Sequence, residues 1–576
     1  MFPLFRWTDV PADEAVVTSL AKHLGFPRPA ARVMASRGHG DTETAARFLD
    51  PRLLHLGDPL SFPGIAPAAE RIWLAIRNAE PIVIFGDFDA DGVTAAALLS
   101  DVIRALGGRV EAFLPDRAAE GYGLTFAALA RCQQEHPAMR LLVTVDCGIN
   151  SVAEVAQAQA AGVETIITDH HAPSDPLPPA LALVNPRLGA TPGAEHLCGA
   201  GVAFKLAHAL LKLGRTAGHD AAAAYDIRGW LDAVAVATVA DVVPLLGENR
   251  ILVTAGLVAL AQRPRMGLKA LKHRAGLQGP PTSHHLAFLL GPRLNAAGRM
   301  RTGWPALRLL HATDWDAAVR LAVELEELNA ERRGVESRVM AEAASHLRRT
   351  PPAGAVVVAG SGWHVGTIGI VAARLADTWN LPAAVIALDA DNGGRGSVRG
   401  GRGDNVVEAL AACLPSLKGF GGHPRAAGLQ LKPGALEEFR ARFAAACAAQ
   451  RGSGDSRTEL PVDAWLTPAE INSGLWQALQ RLEPFGEGHS RPRWGMRGLR
   501  LAATPSPVGE GGEHLRMALR AGGTVWQAVW FKMGHRFEEL ARLGANPLDA
   551  VFELHENTYG GQSSLELRLT DLRPAE

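Results

Sequence analysis

The chain has 576 residues, 47% of them apolar and 20% charged, with a formal net charge of −1. That length exceeds what one hydrophobic core supports, so several domains are expected. No run of about 18 apolar residues is present, which excludes a membrane-spanning helix, and the near-neutral charge excludes a molecule that draws in nucleic acid through its overall field.

The opening MFPLFRWTDVPADE has no long apolar segment behind a basic start, so no secretory leader is expected. Five cysteines, Cys132, Cys147, Cys198, Cys413 and Cys447, show no C-x-x-C spacing and predict reduced thiols in the cytoplasm. Residues 1–75 read as an N-terminal helical extension of short helices and proline-broken loops. From residue 81 apolar runs end in polar clusters. PIVIF precedes Asp87, Asp89 and Asp91, RLLVTV precedes Asp146, and VETIIT precedes Asp169, His170 and His171. Alanine-rich helices such as SVAEVAQAQAAG separate them, an alternation that predicts a parallel α/β sheet. Ligands of such sheets bind beyond the carboxyl ends of the strands, and all three clusters fall there. The string D-x-D-x-D-G also opens an EF-hand loop. Position twelve counted from Asp87 is Leu98, however, not a bidentate glutamate, so calcium of that kind is not expected.

This catalytic unit, 76–250, closes with WLDAVAVATVADVVPLLGENR, which contributes Asp241. Residues 251–350 turn helical. The stretch 314–349 holds no proline and one glycine, enough for a helix of about 50 Å that could connect two lobes. RPRMGLKALKHR (263–274) and GPRLNAAGRMR (291–301) carry Lys and Arg without an acid and together suggest a basic channel wall. A second α/β unit, 351–450, starts at PPAGAVVVAG and runs through the glycine-rich DNGGRGSVRGGRGDN to FGGHPRAAGLQL. QRGSGDSRTE (450–459) has linker composition. Over 458–576 the period falls to two: Leu565, Leu567 and Leu569 alternate with Glu566 and Arg568, and Trp526, Ala528 and Trp530 with Gln527 and Val529. With the turn NTYGGQ this predicts a small all-β, OB-like barrel able to bind single strands, its tryptophans either stacked on bases or in the core.

Together the strand ends supply Asp87, Asp89, Asp91, Asp146, Asp169, His170, His171 and Asp241, a set that repels itself unless cations neutralise it. Mixed carboxylate and imidazole donors suit Mn²⁺ or Mg²⁺ better than zinc. The donors suffice for two ions about 3.5–4 Å apart, which would clamp the attacking and leaving oxygens of a phosphoryl displacement. Hydrolysis of a phosphate ester is the expected chemistry.

GDFDADG, VTVDCGIN, TDHHAP and ATVADVVPL, in this order, resemble the DHH phosphoesterases. GYGL (121–124), GPRLNAAGR, WHVGTIGIVAARL and FGGHPRAAGL narrow the resemblance to the RecJ family of single-strand-specific 5′→3′ exonucleases. The resemblance spans nearly the whole chain and is most specific across about 81 to 430. It implies an α/β fold in which a parallel-sheet DHH catalytic domain is joined by a long helix to a second, DHH-associated α/β domain, followed by the OB-like domain. It implies two ions, Mn²⁺ or Mg²⁺, on Asp89, Asp91, Asp146, His170 and Asp241, with Asp87 as a further ligand or water-holder. Asp169 would orient the histidines from behind, and His171 would meet the scissile phosphate. In the second α/β domain, Ser397 and Arg399 would anchor a 5′-terminal phosphate, and Arg117, Arg293, Asn295, Arg299 and His423 match DNA-contacting motifs. The implied function is degradation of single-stranded DNA from a free 5′ end, in repair and recombination. A cytoplasmic monomer is expected, with a helicase and a single-strand-binding protein as partners. The alternative is another enzyme of the superfamily, an oligonucleotide phosphodiesterase or pyrophosphatase; those are generally shorter and have little use for a terminal β domain. A catalytically silent relative should have lost ligands, and none is missing.

Overall fold

A computed structural model describes residues 4–117, 119–189, 191–401, 403–451, 458–544, 546–557 and 564–575. The centre of the QRGSGDSRTE linker and most of the NTYGGQ turn lie outside the described residues. The chain divides into two compact units: residues 53–454 with 486–488, and residues 1–52 with 455–485 and 489–576.

In the larger unit, β1 (Ile82–Gly86), β2 (Val110–Phe113), β3 (Leu141–Val145), β4 (Glu164–Thr168) and β5 (Ala182–Val184) form a wholly parallel sheet in the order β2-β1-β3-β4-β5. Every residue of β1 and β3 is buried, which is why both read as near-continuous apolar runs rather than alternating ones, Thr144 being the one polar member. The chain leaves β1 toward β2 and returns to β3 on the other side. The loops after β1 and β3 therefore flank the point where strand order reverses, the usual ligand crevice of an open parallel sheet. Helices α1 (Ala90–Ala105), α2 (Gly199–Thr216) and α3 (Leu231–Ala240) cover the sheet within one core, their many alanines permitting close approach.

Helix α4 (Gly291–Met300) precedes the long helix α5, which runs unbroken over Trp315–Arg349 as the lack of proline predicts. Asp314 starts it by accepting a hydrogen bond from Ala317 N at 2.8 Å. Ala318, Ala322, Leu325 and Leu328 belong to the core of the first lobe, and Val339, Ala343 and Leu347 to that of the second. One helix thus contributes to two cores. The second lobe holds β6 (Val356–Ser361), α6 (Ile368–Trp379), β7 (Ala383–Leu388), β8 (Gly394–Arg399), β9 (Leu417–His423) and β10 (Ala426–Leu431). Its sheet runs β9-β10-β8-β7-β6, parallel only between β6 and β7.

In the smaller unit, β11 (Trp494–Leu501), β12 (His514–Ala521), β13 (Thr524–Trp530), β14 (Leu548–Asn557) and β15 (Ser564–Pro574) pair in the order β11-β14-β15-β13-β12. Arg500 and Leu501 pair with Arg520 and Leu519 and close the barrel. Parallel pairing of β13 with β15 among antiparallel neighbours gives it the five-stranded OB topology. Trp494, Trp526 and Trp530 are buried, so they fill the barrel rather than offer ring faces to bases. The strand Arg6–Asp9 pairs with Glu459–Val462, and the buried Asp571 accepts hydrogen bonds from Leu4 N, Phe5 N and Trp7 Nε1. The first residues of the chain are thereby tied to the barrel. All five cysteines are buried and free, and no helix among the described residues is long and apolar enough to cross a membrane.

Candidate active site

Strand ends build the first three clusters, whereas Asp241, expected at a strand end, instead caps the C-terminus of helix α3, because the alanine-rich apolar run before it is helical. Asp87 directly follows β1. Asp89 caps α1, its Oδ1 accepting from Asp91 N at 2.9 Å and Gly92 N at 3.1 Å. Asp91 accepts from Gly199 N at 2.6 Å and Ala200 N at 2.8 Å, so the positive end of α2 steadies a buried carboxylate. Asp146 leaves β3 in the left-handed region at φ 61°, and Val242, next to Asp241, sits at φ 59°. Such backbone costs on the order of 1 kcal/mol or more for non-glycine residues and gathers at functional sites. A Cβ at Gly199 would lie 2.6 Å from Asp146 Cβ and 2.7 Å from its Oδ1. Gly199→Ala is therefore expected to displace the Asp146 carboxylate, lowering stability by about 1–3 kcal/mol and weakening Mn²⁺ affinity. Thermal unfolding and Mn²⁺ titration check this; unchanged affinity would refute it.

The carboxylates converge with the histidines. Donor atoms lie within 4.8 Å of one another in three groups: Asp87, Asp89 and Asp146; Asp91, His170 and Asp241; Asp146, His170 and His171. His170 Nε2 stands 3.1 Å from Asp146 Oδ1, 3.5 Å from Asp241 Oδ2 and 3.9 Å from Asp91 Oδ2. Yet His170 Nε2, Asp87 Oδ1, Asp146 Oδ1 and Asp241 Oδ2 are all buried without a hydrogen-bond partner. Buried polar atoms are nearly always partnered, and four electron-pair donors facing one crevice are completed by cations. Burial first, and neighbouring like charges second, push Asp87, Asp146 and Asp241 well above the usual carboxylate range and Asp91 up to about 6. Burial, with His171 adding to it, brings His170 down to about 3, so its ring is neutral and able to ligate. An oxygen-rich set with imidazole fits Mn²⁺ or Mg²⁺.

The sign of the pH dependence follows. A carboxylate whose folded-state pKa is raised contributes stability at low pH and loses it as pH climbs through that value, about 6 for Asp91. A bound cation reverses the loss and displaces the protons. Mn²⁺ is thus expected to release protons on binding and to raise the unfolding temperature more at about pH 7.5 than at about pH 5.5. Equal stabilisation at both would count against these carboxylates as ligands.

Asp169 lies behind the pair of histidines, accepting from Ile149 N, His170 N, His171 N and, at 2.7 Å, His171 Nδ1. Burial opposes its ionisation, but the bond and charge of His171, the charge of His170 and the backbone donor at His171 together hold Asp169 low. Burial likewise opposes charge on His171, and the bond to Asp169 together with the charges of Asp169, Asp87 and Asp89 raises it nonetheless. His171 Nε2 is 3.0 Å from the Tyr122 hydroxyl, in the GYGL segment. Asn185 Nδ2 donates to His171 O and Arg187 Nε to His170 O, each at 2.9 Å. These two residues form a fourth strand-end cluster that sequence reasoning missed. Its signal, NPR after β5, follows a strand of only three residues.

Arginines line the same cleft. Arg117 lies 5.0 Å over the Phe88 ring, within electrostatic reach of Asp87 and Asp89. Burial and then Arg117 lower Arg299 to about 10 and also depress Arg399. The three guanidiniums therefore share a field that an anion would relieve. Arg399 Nη1 donates to Ser397 Oγ and Val398 O, both at 2.9 Å. Gly369, in the first turn of α6, lets the helix backbone approach them closely: a Cβ there would come within 3.1 Å of both Arg399 Nη2 and Ser397 Oγ. His423 is exposed and feels the charge of His171 and Arg187. Two other candidate DNA contacts are otherwise engaged. Asn295 Oδ1 accepts from Ala90 N at 2.7 Å and so braces the aspartate loop. Arg293 is buried, paired with Glu326 at 2.5 Å and bonded to Leu289 O. In the basic segment 263–274, Arg265 stacks 3.4 Å over Trp230 and donates to Leu310 O, a structural engagement.

The sequence matches the DHH family, N-terminal domain over residues 81–238, the DHHA1 domain over 330–449 and the RecJ OB domain over 462–571. Single-stranded-DNA-specific exonuclease RecJ of Bacillus subtilis (strain 168) is 34% identical across 99% of this chain and 71% of its own length. The protein of that name from Thermus thermophilus is 34% identical across 92% of this chain and 73% of its own. The crystal structure of RecJ in complex with Mn²⁺ from Thermus thermophilus aligns with a TM-score of 0.83 at 32% identity, covering 99% of this chain and 79% of that one. Its Mg²⁺ counterpart gives 0.77 at 29%, covering 99% and 78%.

Proposed function

We infer the activity from kinship and geometry together: the chain belongs to the RecJ family of DHH phosphoesterases. It is a metal-dependent exonuclease acting 5′→3′ on single-stranded DNA, with Mn²⁺ or Mg²⁺ as cofactor. The observation that carries this is the convergence of four buried, unpartnered donors: Asp87 and Asp146 from the strands that flank the order reversal, His170 from the next strand end and Asp241 from the end of α3.

Asp89, Asp91, Asp146, His170 and Asp241, with Asp87, would hold two ions, which supply charge neutralisation and phosphate activation when bound. Residues of the chain itself position the strand. Asp169 fixes the ring of His171, whose Nε2 edge, shared with Tyr122, meets a phosphate entering the cleft. Arg117 and Arg299 offset backbone charge. Ser397, Arg399 and the first turn of α6 close on a terminal 5′ phosphate, joining backbone amides to a forked guanidinium. The proposed setting is repair and recombination in the cytoplasm, as a monomer, with a helicase and a single-strand-binding protein supplying and protecting the substrate.

Incubation with 5′-phosphorylated single-stranded DNA and, separately, with pyrophosphate, each with Mn²⁺ or EDTA, tests the reading. Mn²⁺-dependent loss of the single strand alone is expected. Faster cleavage of pyrophosphate would favour the small-substrate enzymes of the superfamily.

A further inference from the structure

Helices α5 and α6 share one apolar core, Val335 and Val339 meeting Ile368, Val371 and Leu375. Within that contact lies a single carboxylate, Glu336, 1% exposed. Arg332, one turn earlier on α5, donates to its Oε2 at 2.8 Å, and Arg374 of α6 pairs with its Oε1 at 2.8 Å. Arg332 is in turn held by Asn329 Oδ1 at 3.0 Å and lies in the field of Arg299. Arg299 Nη1 donates to Gly366 O, in the turn that leads into α6. Two helices joined only for stability are served as well or better by apolar side chains, because burying a carboxylate is costly. Between the helices the contact is an ion pair at 2.8 Å rather than a hydrogen bond, but two opposite charges held this close still favour one register of α6 along α5.

That register matters here because the two helices carry the two halves of the cleft. The first turn of α6 lies against Ser397 and Arg399 at Gly369, and Arg374 lies five residues, or about 7.5 Å, farther along the same helix. At its other end α5 is embedded in the core that supports the strand ends. We propose that Glu336 is a positioning residue: through Arg332 and Arg374 it sets the span from the end anchor to the carboxylate and histidine cluster, and thereby which phosphodiester of the bound strand is cut. The proposal rests on the reading of both sites given above.

The test uses the full chain with Mn²⁺, in wild-type form and as Glu336→Gln and Arg374→Gln, on single strands bearing a 5′ phosphate or a 5′ hydroxyl. Product lengths and the ratio of kcat/KM on the two ends are measured. Both variants are expected to release a broader range of product lengths and to lose about tenfold of the end preference, with kcat falling more than KM changes and the Mn²⁺ requirement unaltered. Wild-type product lengths and end preference in the variants, whatever their unfolding temperatures, would overturn the proposal. Should Glu336→Gln fail to fold, Arg374→Gln decides, because that side chain is 60% exposed and its loss leaves Arg332 to pair with the carboxylate. A wild-type enzyme that ignores the 5′ end would instead overturn the anchor, and the positioning role with it.

Discussion

Asp146→Asn is expected to lower Mn²⁺-dependent turnover on single-stranded DNA by at least ~10³-fold, the equivalent of about 4 kcal/mol. Asp146 belongs to two of the three donor groups and stands nearest to His170. No other carboxylate among the described residues belongs to more than one of these groups, so its charge has no substitute. Asparagine is the informative replacement because the backbone at φ 61° is strained, and asparagine tolerates the left-handed region better than alanine. The substitution then removes charge without adding strain. In EDTA the variant should unfold at or above the wild-type temperature, since a neutral amide relieves the repulsion that Asp91, Asp89 and Asp241 impose on Asp146. Loss of activity with retained or increased stability separates a ligand from a scaffold residue. Near-normal turnover would remove the two-ion assignment.

The strand-end clusters were legible because strands buried on both faces must be apolar throughout, which leaves the first polar residue after each run conspicuous. Asp87 follows that rule outright; before Asp146 and Asp169 the runs are interrupted by buried threonines, and the first charged residue after each is what stands out. The long helix was legible for an equally simple reason, the absence of proline over 314–349. What the sequence does not encode locally is which partner a polar side chain finds. Arg293 and Arg299 belong to one motif on one helix, yet Glu326, on α5, claims the first and leaves the second beside the cleft. Nor does the motif announce that the oxygen of Asn295 accepts from Ala90 N. The strand Arg6–Asp9 pairs with Glu459–Val462 across more than 400 residues, a contact no local pattern announces. In β13 the period of two separates faces correctly, but alternation is silent on whether the tryptophan face points into the barrel or out to a ligand. Closure of the barrel settles it inward.

Direction is the property the metal cluster cannot provide, because ions hydrolyse any phosphodiester within reach. An end anchor must supply it, and Arg399→Ala is expected to abolish most of the preference for a 5′ phosphate over a 5′ hydroxyl. Arg399 has the attributes an anchor needs. Its Nη1 is committed to Ser397 Oγ and Val398 O, which fixes the plane of the guanidinium. Its Nη2 faces the first turn of α6, where Gly369 lets the helix backbone approach closely. Burial and Arg117 both depress its pKa, so an incoming dianion is met by a group short of counter-charge. Charge-assisted hydrogen bonds to such a group contribute about 1.5–3 kcal/mol, roughly a 10- to 100-fold preference at stake. An arginine that merely touched the strand backbone would lower kcat/KM on both substrates by one factor and leave their ratio intact. Steady-state kinetics on single strands of identical sequence, differing only in the 5′ group, distinguishes the two. Equal losses would remove the anchor and leave the polarity of degradation to be set elsewhere in the cleft.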